Sequence, residues 1–168
     1  ARLGQAIGMR IVANDPYLSP ALAPPEHVLW ADLDDLLGQS DFVSIHVPDT
    51  PETEGLLSEG RLRRMRVGSY LVNVTAPSVL DIPGLRRALE QRHLAGAALD
   101  VHDSHPLSPG SPMLALANAG YNVLLTPHIG GATSETIGRH SSMVVEDLER
   151  FLAGERPKRL ANPAVWPR

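Results

Sequence analysis

An α/β fold built on a largely parallel sheet is what this 168-residue sequence predicts. Short apolar runs rich in Val, Ile and Leu recur at wide spacing without clean alternation, as expected of strands covered on both faces. Segments with helical spacing and helix-start residues lie between those runs, the order of β-α-β units. The chain is 43% hydrophobic and 20% charged, a globular balance, and no internal repeat or low-complexity tract interrupts it.

Each element has its own signal. "ARLGQAIG" reads as a short helix that Gly8 stops, and "MRIVAN" follows as a strand over 10–14. "HVLW" is a second strand. In "DLDDLLGQS", Asp32 stands as N-cap, with Leu33, Leu36 and Leu37 on one face. "DFVSIHV" and "SYLVNV" are strands, separated by "SEGRLRRM" with Ser58 as cap. "DIPGLRRALEQR" starts on Asp81 and carries Pro83 in its first turn, where a missing N–H costs nothing. "LAGAALDV" and "NVLLTPH" complete the strands. From Ser134, the residues Ile137, Ser141, Val144, Val145, Leu148, Phe151 and Leu152 form an apolar stripe at helical spacing, closed by Gly154. This is the longest helix expected, and "ERPKRLANPAVWPR" trails it as a tail.

Composition excludes several chemistries. A formal charge of −4 offers no basic excess for nucleic acid. The absence of cysteine removes disulfides, thiolate catalysis and Cys-based metal sites. No apolar run approaches the ~20 residues of a membrane span, and a cytoplasmic location is the default expectation. The chain opens without a methionine, directly in a helix-like segment, which reads as an N-terminally incomplete domain.

Candidate functional residues sit where strands end. Asp15 closes the first strand and precedes Pro16, which turns the chain outward. In dinucleotide-binding folds an acid at that place accepts bonds from the adenosine ribose about 20 residues past a Gly-rich turn, and it disfavours a 2′-phosphate. On that count the Gly-rich turn falls before Ala1. A plain turn Asp is the alternative. Val47 and Pro48 offer an apolar floor for adenine, and Thr53 a hydroxyl for ribose or pyrophosphate, or else a loop cap. Asp100 ends a strand of small residues, which admits close approach of backbone or ligand. His102, Asp103 and His105 have the spacing of metal ligands, but two His and one Asp on a loop are too weak a set, and no metal is expected. His128 follows Pro127 beside Gly130 and Gly131, a fitting place for an acid/base whose ordinary pKa lies near neutrality.

Taken in order, "GMRIVANDPY", "LDDLLGQSDFVSIHVPDTPETEGLL", "MRVGSYLVNV", "LAGAALDV", "LLTPHIGGAT" and the closing "NPAV" resemble the D-isomer-specific 2-hydroxyacid dehydrogenases, whose members include phosphoglycerate, D-lactate and glyoxylate-reducing enzymes. The resemblance implies a Rossmann-type doubly wound parallel sheet, here lacking its first strand and Gly-rich turn, with a long C-terminal helix. It places the NAD-binding domain over 1–130 and a returning helix and tail over 131–168. It implies NAD as cofactor, a small 2-hydroxy or 2-oxo acid as substrate, and a homodimer, with neither nucleic acid nor membrane as partner. Asp15, Val47, Pro48 and Thr53 would hold the adenosine side. Val74, Thr75 and Ala76 would run along the nicotinamide, with Asp100 at its carboxamide and Gly131 near His128, the acid/base.

Three positions depart from the family pattern. Its substrate-clamping arginine falls on Ala76 and the next glycine on Pro77, while the carboxylate that pairs with the catalytic His falls on His105. A charge-assisted fork to a carboxylate is beyond alanine. The same resemblance therefore admits a second expectation, a catalytically impaired NAD(H)-binding regulator or scaffold.

Overall fold

The computed structural model describes residues 1–18 and 28–166, so His27 of the "HVLW" run and the last two residues lie outside it. The chain divides into two units, Ala1–Pro127 and His128–Arg168.

The first unit opens with helix α1 (Arg2–Ala6). Gly8, at φ 85°, turns the chain where a side chain would be strained. Strand β1 (Ile11–Ala13) pairs in parallel with β2 (Val28–Trp30), Ile11 opposite Val28. Helix α2 (Leu33–Gln39) follows; Asp32 holds its N-cap position without a capping side-chain bond. Leu37 is fully buried, and Leu33 and Leu36 pack beside it.

Strands β3 (Phe42–Ile45), β4 (Ser69–Asn73), β5 (Leu94–Leu99) and β6 (Val123–Leu125) form a second, four-stranded parallel sheet in that order. The sequence suggests strands covered on both faces, and β3 departs from this. Val43 and Ile45 are buried, whereas Phe42 and Ser44 are exposed, and Phe42 stacks on Tyr70 at 5.1 Å between ring centroids. That face of the sheet is open among the described residues, for Tyr70 of β4 and Leu124 of β6, in register on the same side, are exposed as well.

Helices α3 (Glu59–Arg64), α4 (Ile82–Glu90) and α5 (Pro112–Asn118) bury Leu62, Leu85, Leu89, Met113 and Leu116 against the inner strand residues Leu71 and Leu99. Asp81 does more than cap α4. Its carboxylate accepts from Gly84 N–H at 2.9 Å and from Glu59 N–H at 3.2 Å, so one side chain serves two helix starts. Glu59 in turn accepts from Arg87 and Arg63, which holds its carboxyl below the usual range. Helix α5 is absent from the sequence reading, although Ser111 caps it and Pro112 occupies its first turn.

The second unit holds α6 (Ser134–Leu152), capped by Thr133 and followed by Gly154 at φ 75°. Its predicted stripe is exposed in the chain, with Val144 at 67% and Leu152 at 75%. The tail folds back on α6 through ion pairs of Lys158 and Arg159 with Glu146, and of Arg159 with Asp147. Phe151 meets Trp166 edge to face.

Candidate functional site

Parallel sheets present ligand sites at the carboxyl ends of their strands, and the predicted residues fall at those ends. A cleft of about 1060 Å³ lies between β1 and β3 and is lined by Asp15, Val47, Pro48 and Thr53 together. These four are the residues expected on the adenosine side. Asp15 leaves β1 in a side-chain turn, its Oδ1 accepting from Tyr17 N–H at 2.9 Å. That bond leaves carboxylate lone pairs for other donors, because an ionised carboxylate accepts at about four sites. Val47 and Pro48 follow β3, and His46 shares a 2.8 Å bond with Ser44 one strand repeat earlier. Thr53 ties its own loop together, donating its hydroxyl to Pro48 O at 2.7 Å and accepting from Thr50 N–H at 3.0 Å. The cap and the cleft lining are therefore one residue. Nearby, Glu52 is held below the usual carboxylate range by a backbone N–H and then the Thr50 hydroxyl.

The second group lies at the ends of β4 and β5. Asn73, only 2% exposed, organises the turn that carries Val74, Thr75 and Ala76. Its Oδ1 accepts from Thr75 N–H and from the Thr75 hydroxyl, both at 2.9 Å, and its Nδ2 donates to Ala76 O at 3.3 Å. Sequence reasoning passes over Asn73, although an Asn just before a turn is a recognised turn-forming signal. Ala76 is extended at φ −53°, ψ 144°, as a residue before proline should be. The position brings a methyl group and no charge to the turn.

A lattice of bonds joins these ends to β6. Asp100 N–H donates to Asn73 O at 3.1 Å. Asp100 Oδ1 accepts from the Thr126 hydroxyl. His102, 7% exposed, bonds Thr126 O through Nε2 at 2.7 Å and sets Nδ1 against Met113 Sδ at 3.3 Å. Both ring nitrogens of His102 are thus engaged within the fold. His105 is exposed, its ring 6.2 Å from that of His102.

The small residues of β5 serve packing. A Cβ at Gly96 would lie 2.7 Å from Asn122 O, and Asn122 Nδ2 donates to Ala95 O at 2.9 Å. The close approach is by the backbone and the side chain of Asn122 together.

In the second unit, His128 adopts φ 56°, a left-handed conformation uncommon for a side-chain-bearing residue, though His is among the more tolerant. Such outliers cluster at functional sites. At Gly131 a Cβ would meet nothing within 4 Å, so space does not explain that glycine.

The donor set suits a dinucleotide. An acid and an apolar floor share the β1–β3 cleft, and a backbone turn with an adjacent carboxylate stands at the β4 and β5 ends.

Comparison with known proteins agrees with that chemistry. The family profile described as D-isomer specific 2-hydroxyacid dehydrogenase, NAD binding domain, matches residues 1–130. A glyoxylate reductase of Korarchaeum cryptofilum is 40% identical over 165 residues, covering 98% of this chain and 48% of that protein. A D-3-phosphoglycerate dehydrogenase of Mycobacterium bovis is 38% identical over 161 residues, covering 92% of this chain and 30% of that protein. The chain thus spans about half the length, or less, of these relatives. Among solved structures, the NAD-complexed D-isomer specific 2-hydroxyacid dehydrogenase of Lactobacillus delbrueckii ssp. bulgaricus superposes with a TM-score of 0.83 at 28% identity, over 96% of this chain and 52% of that one. With its parallel strands, its strand-end acid and a profile match over most of its length, the chain belongs to the D-isomer specific 2-hydroxyacid dehydrogenase family through its NAD-binding domain.

Proposed function

We propose that the chain is the cofactor-binding part of an NAD-dependent oxidoreductase that interconverts a 2-hydroxy acid and its 2-oxo acid. The observation that carries this reading is the convergence of Asp15, Val47, Pro48 and Thr53 on one cleft at the ends of β1 and β3. Asp15 holds the ribose hydroxyls and favours NAD over its 2′-phosphorylated form, since a second anion beside a carboxylate is repelled. The turn at 74–76, fixed by Asn73, lies along the nicotinamide, and Asp100 accepts from its carboxamide. Bound NAD supplies the hydride acceptor. His128 exchanges the proton of the substrate hydroxyl, and its constrained backbone holds the ring in place for that exchange. Residues 1–130 make the dinucleotide domain and 131–168 the returning helix and tail, in a homodimer working in the cytoplasm.

A second reading has its own support. Ala76 brings no cation to the turn, and Pro77 fixes it in an extended conformation. That turn suits a protein that binds NAD(H) without turnover. Incubation with NADH and a panel of 2-oxo acids separates the two, followed as loss of NADH absorbance. The oxidoreductase reading expects turnover with at least one acid. NADH binding with no turnover anywhere on the panel, and activity appearing in the combined Ala76→Arg, Pro77→Gly, His105→Glu variant, would establish the second.

A further inference from the structure

We propose that His102 is a positioning residue for the nicotinamide end of the cofactor, acting through Thr126 on Asp100. The inference rests on the reading above for the role of Asp100, and it concerns a buried imidazole which that reading leaves unused.

Thr126 stands at a corner of the four-stranded sheet. Among the described residues β6 pairs only with β5, and β6 ends at Leu125. Thr126 N–H still donates to Leu99 O at 3.1 Å, but Pro127 has no N–H to carry the ladder further. A short edge strand that stops there is free to fray from its carboxyl end. His102 closes that end. A carbonyl oxygen only accepts, so His102 Nε2 carries the hydrogen of its 2.7 Å bond to Thr126 O. The third polar group of Thr126, its hydroxyl, donates to Asp100 Oδ1. Leu99, Asp100 and His102, at and just past the end of β5, therefore engage all three polar groups of one residue.

Packing alone does not call for an imidazole here. His102 and Met113 are both buried, and a phenyl ring would fill the space with no polar atom to satisfy. Nδ1 meets only a thioether sulfur, a weak partner, at 3.3 Å. What the imidazole adds is the bond to Thr126 O. With its backbone pinned on both sides of Cα, and its χ1 restricted by β-branching, Thr126 aims its hydroxyl one way, at Asp100. The Asp100 backbone is held as well, by the bond from its N–H to Asn73 O. One hydroxyl orients a carboxylate without exhausting it, since the ionised group accepts at about four sites. The result is a pre-organised acceptor, suited to an N–H donor such as a carboxamide and unsuited to a methyl ketone of the same shape.

Affinity for NADH and for its reduced 3-acetylpyridine analogue, in which a methyl ketone replaces the carboxamide, tests the proposal on the whole chain. Saturation-transfer NMR measures both on the parent, on His102→Phe and on Thr126→Val. The parent should prefer NADH by at least about fivefold, because the ketone leaves the acceptor without a donor. Each variant should cut that preference below about twofold while the adenosine ribose protons keep their contact, a change that a merely structural role would not produce. No preference in a parent that binds NADH, or a preference that survives both substitutions, overturns this inference alone. Loss in His102→Phe without loss in Thr126→Val marks packing and overturns it too. So does a long-range proton–nitrogen spectrum of the parent that shows Nε2 of His102 without hydrogen, a measurement for which no variant has to fold. Absence of NADH binding by the parent overturns the cofactor reading and this inference with it.

Discussion

Replacing Asn73 with alanine removes three hydrogen bonds at once, two accepted from Thr75 and one donated to Ala76 O. Each such bond contributes about 1 kcal/mol net, and the Thr75 N–H is left without its partner in a partly buried turn. The expected loss is about 2–3 kcal/mol. For a domain of this size that lowers the unfolding midpoint by roughly 5–10 °C. Urea unfolding followed by circular dichroism gives the loss directly, and the same titration on Thr75→Val and on the double variant gives the coupling. We expect about 1 kcal/mol of coupling, since both substitutions delete one shared bond. A loss below about 0.5 kcal/mol for Asn73→Ala, or no coupling, would refute the claim that this side chain holds the turn.

Further predictions concern other points of the frame. Gly96→Ala drives a Cβ to 2.7 Å from Asn122 O and should cost about 1–3 kcal/mol in the same unfolding titration. Asp81→Ala strips both Gly84 and Glu59 of their acceptor and should cost about 1–3 kcal/mol, with Asp81→Asn recovering part of it. Glu146 is held down at about 2 by Lys158 first and then Arg159. A carboxyl with a lowered folded pKa stabilises the fold above its ordinary value and loses that contribution as pH falls. The tail should stay on α6 from pH 7 to 5 and detach between about 4.5 and 2, read from the Lys158 amide shift, and salt should weaken the tie.

Much of this arrangement is legible in the sequence because local rules and fold agree. Ser58, Asp81 and Pro83 mark helix starts that the structure keeps, with Ser58 accepting from Arg61 N–H. Gly8 and Gly154 stop helices where φ must be positive. The strand-end positions of Asp15, Val47 and Asp100 follow from the same hydrophobic pattern. What escapes is long-range. Asn73 is the exception, a local turn signal two and three residues from its partners that the sequence reading passes over. Gly96 is small because of Asn122, 26 positions away, a proximity created only by sheet pairing. The second bond of Asp81 reaches a helix 22 positions back. Helix α5 is a different failure, for Ser111 and Pro112 announce it, but the five Met, Leu and Ala residues before Asn118 show no clear period. The split of the strands into two sheets is likewise a matter of which edges meet.

The central claim is that Asp15 and the β1–β3 cleft receive the adenosine end of NAD. Saturation-transfer NMR with NADH and NADPH in parallel, on the chain and on Asp15→Ala, tests it most directly. NADH should bind with the adenosine ribose protons in contact, at least about tenfold tighter than NADPH, or ~1.4 kcal/mol. In Asp15→Ala that preference should collapse toward unity. Equal binding of the two dinucleotides by the parent chain, or a preference untouched by the substitution, would contradict it.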